Sequence, residues 1–186
     1  MELHHVKKIH SGKFITRYDL TYTTLDQKTK IYEMISRNPA IETPKDLHNH
    51  HIDAVVLIMH DKTGKKILLN KEFRLAAGEF VYNFPAGLID PGETPEISAR
   101  RELKEETGLD LIEITDFFPY SYSAVGFSNE KNVCILGIAD GNFAKSSSTL
   151  EEIEAKWYSK EEIRQLLKAE PFAARTQAYC YLWSKS

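Results

Sequence analysis

Glu102, Glu105 and Glu106 crowd into five positions of the segment RRELKEETGL. On a helix at 100° per residue, Glu105 falls about 60° to one side of Glu102 and Glu106 about 40° to the other. All three carboxylates therefore share an arc of roughly 100°. They repel one another, and the Glu102–Glu106 pair alone costs a helix about 0.2–0.5 kcal/mol. Glu96–Arg100 and Arg101–Glu105 have the same four-residue spacing with opposite charges. Taken by themselves, three such glutamates are ordinarily a helix face turned to water. Their other use is chemical. A carboxylate cluster is a poor nucleophile and a good cage for a hard divalent cation, above all Mg²⁺, with Mn²⁺ as a substitute.

The elements that must hold these glutamates can be read around them. Thr94 can cap a helix whose first residue is Pro95, where no amide donor is needed, and Gly108 is a natural stop. Upstream, Phe14–Thr23 and Lys30–Ser36 are two β-rich runs split by polar turn residues, which predicts a hairpin. Residues 38–51 carry two prolines and little apolar pattern, so they read as a linker. AVVLIMH (54–60) and ILLNKEF (67–73) are strands joined by the turn DKTGKK, and a short strand is expected at Phe80–Phe84. Downstream, FFPYSYSAV (117–125), VCILGIA (133–139) and IEAKWYS (153–159) read as strands. Ser159, three residues before Glu162, opens a helix with capping-box spacing, and ARTQAYCYLWSK closes the chain as another helix. The alternation predicts a sheet flanked by helices.

The glutamates belong to a longer pattern: Gly87, five residues, Glu93, seven residues, Arg101-Glu102-Leu103, one residue, Glu105-Glu106, one residue, Gly108-Leu109. This resembles the Nudix box at every fixed position, over about an eighth of the chain. The resemblance implies an α+β fold, an α/β/α sandwich with a mixed sheet, and metal-assisted hydrolysis of a phosphoanhydride. It implies that Arg101 orients the neighbouring carboxylates and that Glu102 and Glu106 are the main metal ligands. Glu105 would be a further ligand or the general base, and the backbone carbonyl of Ala86, just before the box glycine, would join the metal shell.

Beyond the box, the chain is similar to the ADP-ribose pyrophosphatase branch of that family. The similarity rests on the N-terminal hairpin, FPAGLIDPGE (84–93), SAVGFSNE (123–130) and the C-terminal strand-helix-helix order. It implies an N-terminal β-rich dimerisation subdomain over 1–47, a hydrolase domain over 48–186, and a homodimer paired through the N-terminal strands. Glu130 takes the position of a loop glutamate that serves as general base, in competition with Glu105. Phe14, Tyr32 and Arg37 are the implied clamp for a nucleobase, with Arg74 nearer the phosphates. ADP-ribose, cleaved to AMP and ribose 5-phosphate, is the implied substrate, followed by other nucleoside diphosphate derivatives. A nucleotide-sugar sensor with little turnover and a nucleoside triphosphatase are the rival readings. Two positions depart from the branch pattern. Val125 stands where a proline is common, and Asn83 where many relatives have a glutamate.

Composition narrows the rest. The chain has 186 residues, 42% of them hydrophobic, enough for one sizeable core with a small appended sheet. Its net charge of −3 offers no broad basic surface for nucleic acid. No stretch approaches the ~18 to 20 apolar residues of a membrane span. Cys134 and Cys180 form no CxxC pattern, and MELHHVKKIH lacks the apolar run of a signal peptide, which fits a reduced cytoplasm. His48, His50 and His51 cluster within the linker, where histidines can bind metal, but an oxygen-rich helix suits Mg²⁺ better than imidazole does.

Overall fold

The computed structural model describes residues 1–48, 51–146 and 152–186, so His50 lies outside the described residues. Two compact units are present, one comprising Met1–Asp53 with Tyr120–Asn132, the other Ala54–Pro119 with Val133–Ser186.

The first unit is built on an antiparallel sheet in the order β1 (Glu2–Ser11), β2 (Thr16–Thr23), β3 (Thr29–Ser36). The expected hairpin is β2–β3, in unbroken register from Thr16↔Ser36 to Thr23↔Thr29. β1 is an addition. Of its residues only Val6 is buried, so the apolar alternation that announces a strand is missing. Tyr18, Leu20 and Met34 from the hairpin join Val6 and Ile41 in one small core. The expected linker thus contributes to the fold: Ile41 is 1% exposed, and the Tyr18 hydroxyl donates to the Asn38 carbonyl at 2.7 Å while accepting from the Ile41 amide at 3.3 Å. The segment 123–130 also lies in this unit, where the Ile35 amide donates to the Phe127 carbonyl at 2.8 Å.

The second unit is a seven-stranded sheet. Its spine runs β10 (Ile153–Ser159), β5 (Lys66–Arg74), β4 (Ala54–His60), β9 (Lys131–Asp140), β8 (Asp110–Tyr122), with β6 (Glu79–Asn83) paired to β5 and the short β7 (Ala86–Leu88) to β4. Val55 to Met59 of β4 are all buried, so both faces of the sheet are covered. On one face, Val56, Ile58, Ile67 and Leu69 pack with Ile163 of α2 (Lys160–Ala169) and Cys180 of α3 (Ala174–Lys185). Alternation turns Val55, Leu57 and Met59 to the other face, which meets α1 (Pro95–Thr107). The expected sandwich of helix, sheet and helices is what forms. Leu103, fully buried on α1, holds that helix in place with a contribution of about 1.5–3 kcal/mol. Cys134 and Cys180 are buried free thiols. Among the described residues, no helix is long and apolar enough to cross a membrane.

Candidate active site

α1 begins where its local chemistry requires. The Thr94 hydroxyl accepts from the Ile97 amide at 3.3 Å, and Pro95 occupies the first turn. It ends at Gly108, whose φ of 79° is the left-handed conformation that glycine adopts without strain. Between these caps, Leu103 anchors the inner face. Glu102, Glu105 and Glu106 are thereby held at three depths: half-buried, exposed and buried.

Arg101 is the hub. Its guanidinium grips Glu93 with two parallel bonds, Nε and Nη2 each 2.9 Å from a carboxylate oxygen. Nη1 donates to Glu102 at 2.7 Å and reaches Glu105 at 3.4 Å, and Nη2 also donates to the Leu88 carbonyl at 3.0 Å. Glu93 is held from its other side by the Ser98 hydroxyl at 2.6 Å and the Asp90 amide at 3.2 Å. A forked arginine–carboxylate pair is among the stronger hydrogen-bonded contacts a protein makes. Its bond from Arg101, followed by that from Ser98, lowers the Glu93 carboxyl to about 2, and the same pairing raises the Arg101 guanidinium. The loop between β7 and α1 is closed onto the helix by this clamp.

Gly87 supplies the second constraint. A β-carbon there would lie 1.9 Å from Cδ of Glu102 and 2.1 and 2.2 Å from its two oxygens. The Glu102 carboxylate therefore occupies the space that any other residue's side chain would fill. Ala86 precedes it on β7, paired with Val56 of β4. Glu106, only 6% exposed, accepts from Nδ2 of Asn70 on β5 at 2.7 Å. Further along β5, Glu72 accepts from Asn83 Nδ2 at 2.9 Å and lies 3.5 Å from Arg74. Asn83 is itself held by the Thr176 hydroxyl at 2.8 Å. The departure at position 83 is thus a neutral amide hydrogen-bonded to a buried carboxylate at position 72.

The helix brings Arg101, Glu102, Glu105 and Glu106 together, as its periodicity requires. Among the described residues, however, no three His, Cys, Asp or Glu side chains converge in an arrangement that would hold a metal ion. The physical reason is visible in their partners, since Glu102 and Glu105 turn to Arg101 and Glu106 to Asn70. The donor set nonetheless suits a hard divalent cation. Its groups are carboxylates, Glu102 lies in the cradle at Gly87, and the buried Oδ1 of Asn70, beside Glu106, has no hydrogen-bond partner among the described residues. Gathering the carboxylates around an ion takes rotations of flexible glutamate stems.

The first unit holds the other expected residues. Tyr32 donates its hydroxyl to the Gly126 carbonyl, and Arg37 donates from Nε to Glu130 at 2.5 Å. Both side chains are tied to the loop that carries Glu130. Phe14 lies in the turn between β1 and β2, 68% exposed, with the Lys13 amine 5.0 Å from its ring centre. Sequence reasoning assigned no role to Glu93, Ser98, Asn70, Glu72 or Thr176. The signals available were the fixed place of Glu93 in the motif and the polar break that Asn70 makes in the apolar run ILLNKEF.

The chain is similar to known proteins in sequence and in fold. The family profile described as NUDIX domain matches residues 49–180. An ADP-sugar pyrophosphatase of Mus musculus is 32% identical over 100 residues, covering 54% of this chain and 44% of that protein. An ADP-ribose pyrophosphatase of Saccharomyces cerevisiae is 29% identical over 157 residues, covering 83% of this chain and 65% of that protein. The chain thus spans less than two thirds of the length of either relative. A solved structure described as an ADP compounds hydrolase superposes with a TM-score of 0.74 at 17% identity, covering 99% of this chain and 91% of that one.

Proposed function

The chain belongs to the NUDIX domain family, and from that premise we propose that it is a divalent-metal-dependent pyrophosphatase that hydrolyses the diphosphate of a nucleoside diphosphate sugar. ADP-ribose is the leading substrate, giving AMP and ribose 5-phosphate. The names of the two relatives and the branch-like segments FPAGLIDPGE and SAVGFSNE support that choice. The observation that carries the reading is the fork of Arg101 on Glu93, which fixes the β7–α1 loop against the helix that bears the glutamates.

In this reading, Glu102, Glu105, Glu106 and the Ala86 carbonyl hold Mg²⁺, with Mn²⁺ able to replace it. A bound divalent cation supplies neutralisation of the diphosphate and polarisation of its phosphoryl oxygens. Arg101 shares its guanidinium between Glu93 and Glu102, so the carboxylate that repels its neighbours is held in one place before any substrate arrives. Glu130, or Glu105 in its stead, takes a proton from the attacking water as the new phosphorus–oxygen bond forms. The bridging phosphorus–oxygen bond breaks, and each product leaves as a phosphate monoester. Phe14, Tyr32 and Arg37 are assigned to the nucleobase, Arg74 to the phosphates, and the N-terminal strands to a homodimer.

The test is a hydrolysis panel with ADP-ribose, ADP-glucose, UDP-glucose, GDP-mannose, NADH, diadenosine polyphosphates and nucleoside triphosphates, with products identified by mass spectrometry. Activity vanishes with EDTA, returns with Mg²⁺ or Mn²⁺, and is highest on ADP-ribose. Turnover that persists in EDTA overturns the metal assignment. A nucleoside triphosphate as best substrate overturns the branch, and tight binding of ADP-ribose without turnover makes the protein a sensor.

A further inference from the structure

β5 reads KILLNKEFR, and Asn70 is an anomaly within it. Ile67, Leu68, Leu69 and Asn70 are each 0% exposed, so the strand buries an amide where its neighbours bury hydrocarbon. Burying an amide disfavours folding unless its polar atoms are hydrogen-bonded, and a leucine of nearly the same shape would avoid that cost. Here half of the amide goes unsatisfied, because Oδ1 has no hydrogen-bond partner among the described residues. The other half makes one side-chain hydrogen bond among them: Nδ2 donates to Oε2 of Glu106 at 2.7 Å. Packing alone gives no reason for the residue. That hydrogen bond supplies one.

Resting on the metal-dependent reading above, we propose that Asn70 is a positioning residue for Glu106, setting the orientation of that carboxylate for the divalent cation. A bond to one oxygen sets the carboxylate's rotation about its last side-chain torsion, which is otherwise broad. Glu106 then needs less reorganisation when the ion arrives. Glu102 is oriented in a parallel manner by Arg101 on one side and the Gly87 cradle on the other. Each carboxylate thus has its own device, and that of Glu106 comes from the sheet beneath the helix.

Mn²⁺ binding, measured by titration calorimetry or by the loss of the free-ion paramagnetic resonance signal, tests this without substrate and without turnover. Asn70→Leu keeps the volume and removes the donor. It takes a donor from the buried Glu106 carboxylate, so it is expected to fold with a thermal midpoint below that of the wild-type protein and to bind Mn²⁺ about 10- to 100-fold more weakly, the usual loss when a ligand's orienting partner is removed. In a Glu106→Gln background the same substitution should add little, because the group through which Asn70 acts is already impaired. Wild-type Mn²⁺ affinity in Asn70→Leu, or an equal loss in both backgrounds, overturns the inference. If Asn70→Leu does not fold, Asn70→Ala, which removes the amide without added bulk, is carried through the same cycle. A wild-type protein that binds no Mn²⁺ instead refutes the metal-dependent reading, and the role of Asn70 falls with it.

Discussion

Gly87→Ala separates the stability of the fold from the geometry of the site. The new methyl would fall 1.9 Å from Cδ of Glu102, whereas non-bonded carbons rest about 3.5–4.0 Å apart. The carboxylate must therefore withdraw by roughly 1.5 Å or more. It can do so cheaply, because it is the end of a flexible side chain and Gly87 is not among the positive-φ glycines. The fold should survive with a thermal midpoint within a few degrees of wild type. The 2.7 Å bond from Arg101 to Glu102 should not. A misplacement of about 1 Å at a reacting centre can cost ~10²-fold in rate, so kcat/KM for ADP-ribose should fall about 10²-fold. A partial rescue is built into the argument. Glu102→Asp in the Gly87→Ala background shortens the side chain by one carbon–carbon bond, about 1.5 Å, and should recover part of the loss. Steady-state kinetics and thermal unfolding of wild type, single and double variants supply the data. A folded Gly87→Ala variant within about three-fold of the wild-type rate would refute the claim that the Glu102 carboxylate must lie against Gly87.

Glu102→Gln and Glu106→Gln remove charge from the proposed ligands with little change of shape, and each should lower kcat by at least ~10²-fold. Full activity in either removes that residue from the metal site. Glu130→Gln should lower kcat by ~10² to 10⁴ while leaving Mn²⁺ affinity intact, and the roles are exchanged if Glu105→Gln shows that loss and Glu130→Gln does not. Tyr32→Ala should raise KM for ADP-ribose roughly 5- to 150-fold, the equivalent of ~1–3 kcal/mol of base stacking. Tyr32→Phe keeps the ring and removes the bond to Gly126, so it should leave KM near wild type. Equal effects of the two substitutions would assign Tyr32 to the loop rather than to the base. Glu93 is depressed from an ordinary 4.5 to about 2 in the folded protein. Its stabilising effect is therefore fully present above about pH 4.5 and is lost as pH falls from there toward 2. Thermal midpoints of wild type should drop more steeply across that window than those of Glu93→Gln, and parallel curves would contradict the clamp.

How far the site could be read from sequence follows how local each signal is. α1 was legible because Thr94, Pro95 and Gly108 act within a turn of its ends, and α2 because the Ser159 capping box spans four residues. β1 was not, since its one buried apolar residue gives no alternation. β7 is three residues long and hidden within a loop-like run. The glutamate cluster was legible because helix periodicity alone gathers it. What restrains the cluster was less so. Glu93 lies before the helix cap, so its bond to Arg101 depends on how the loop closes rather than on any helical spacing. Asn70 meets Glu106 across 36 positions, and Arg37 meets Glu130 across 93. A polar residue in an apolar strand announces that it needs a partner, but only the packing of α1 on the sheet reveals which one. The carboxylates proposed as ligands are thus written in a short motif, while their orientation depends on residues that the fold brings up from elsewhere. The same motif on a different supporting strand would keep its carboxylates and lose the amide that hydrogen-bonds one of them.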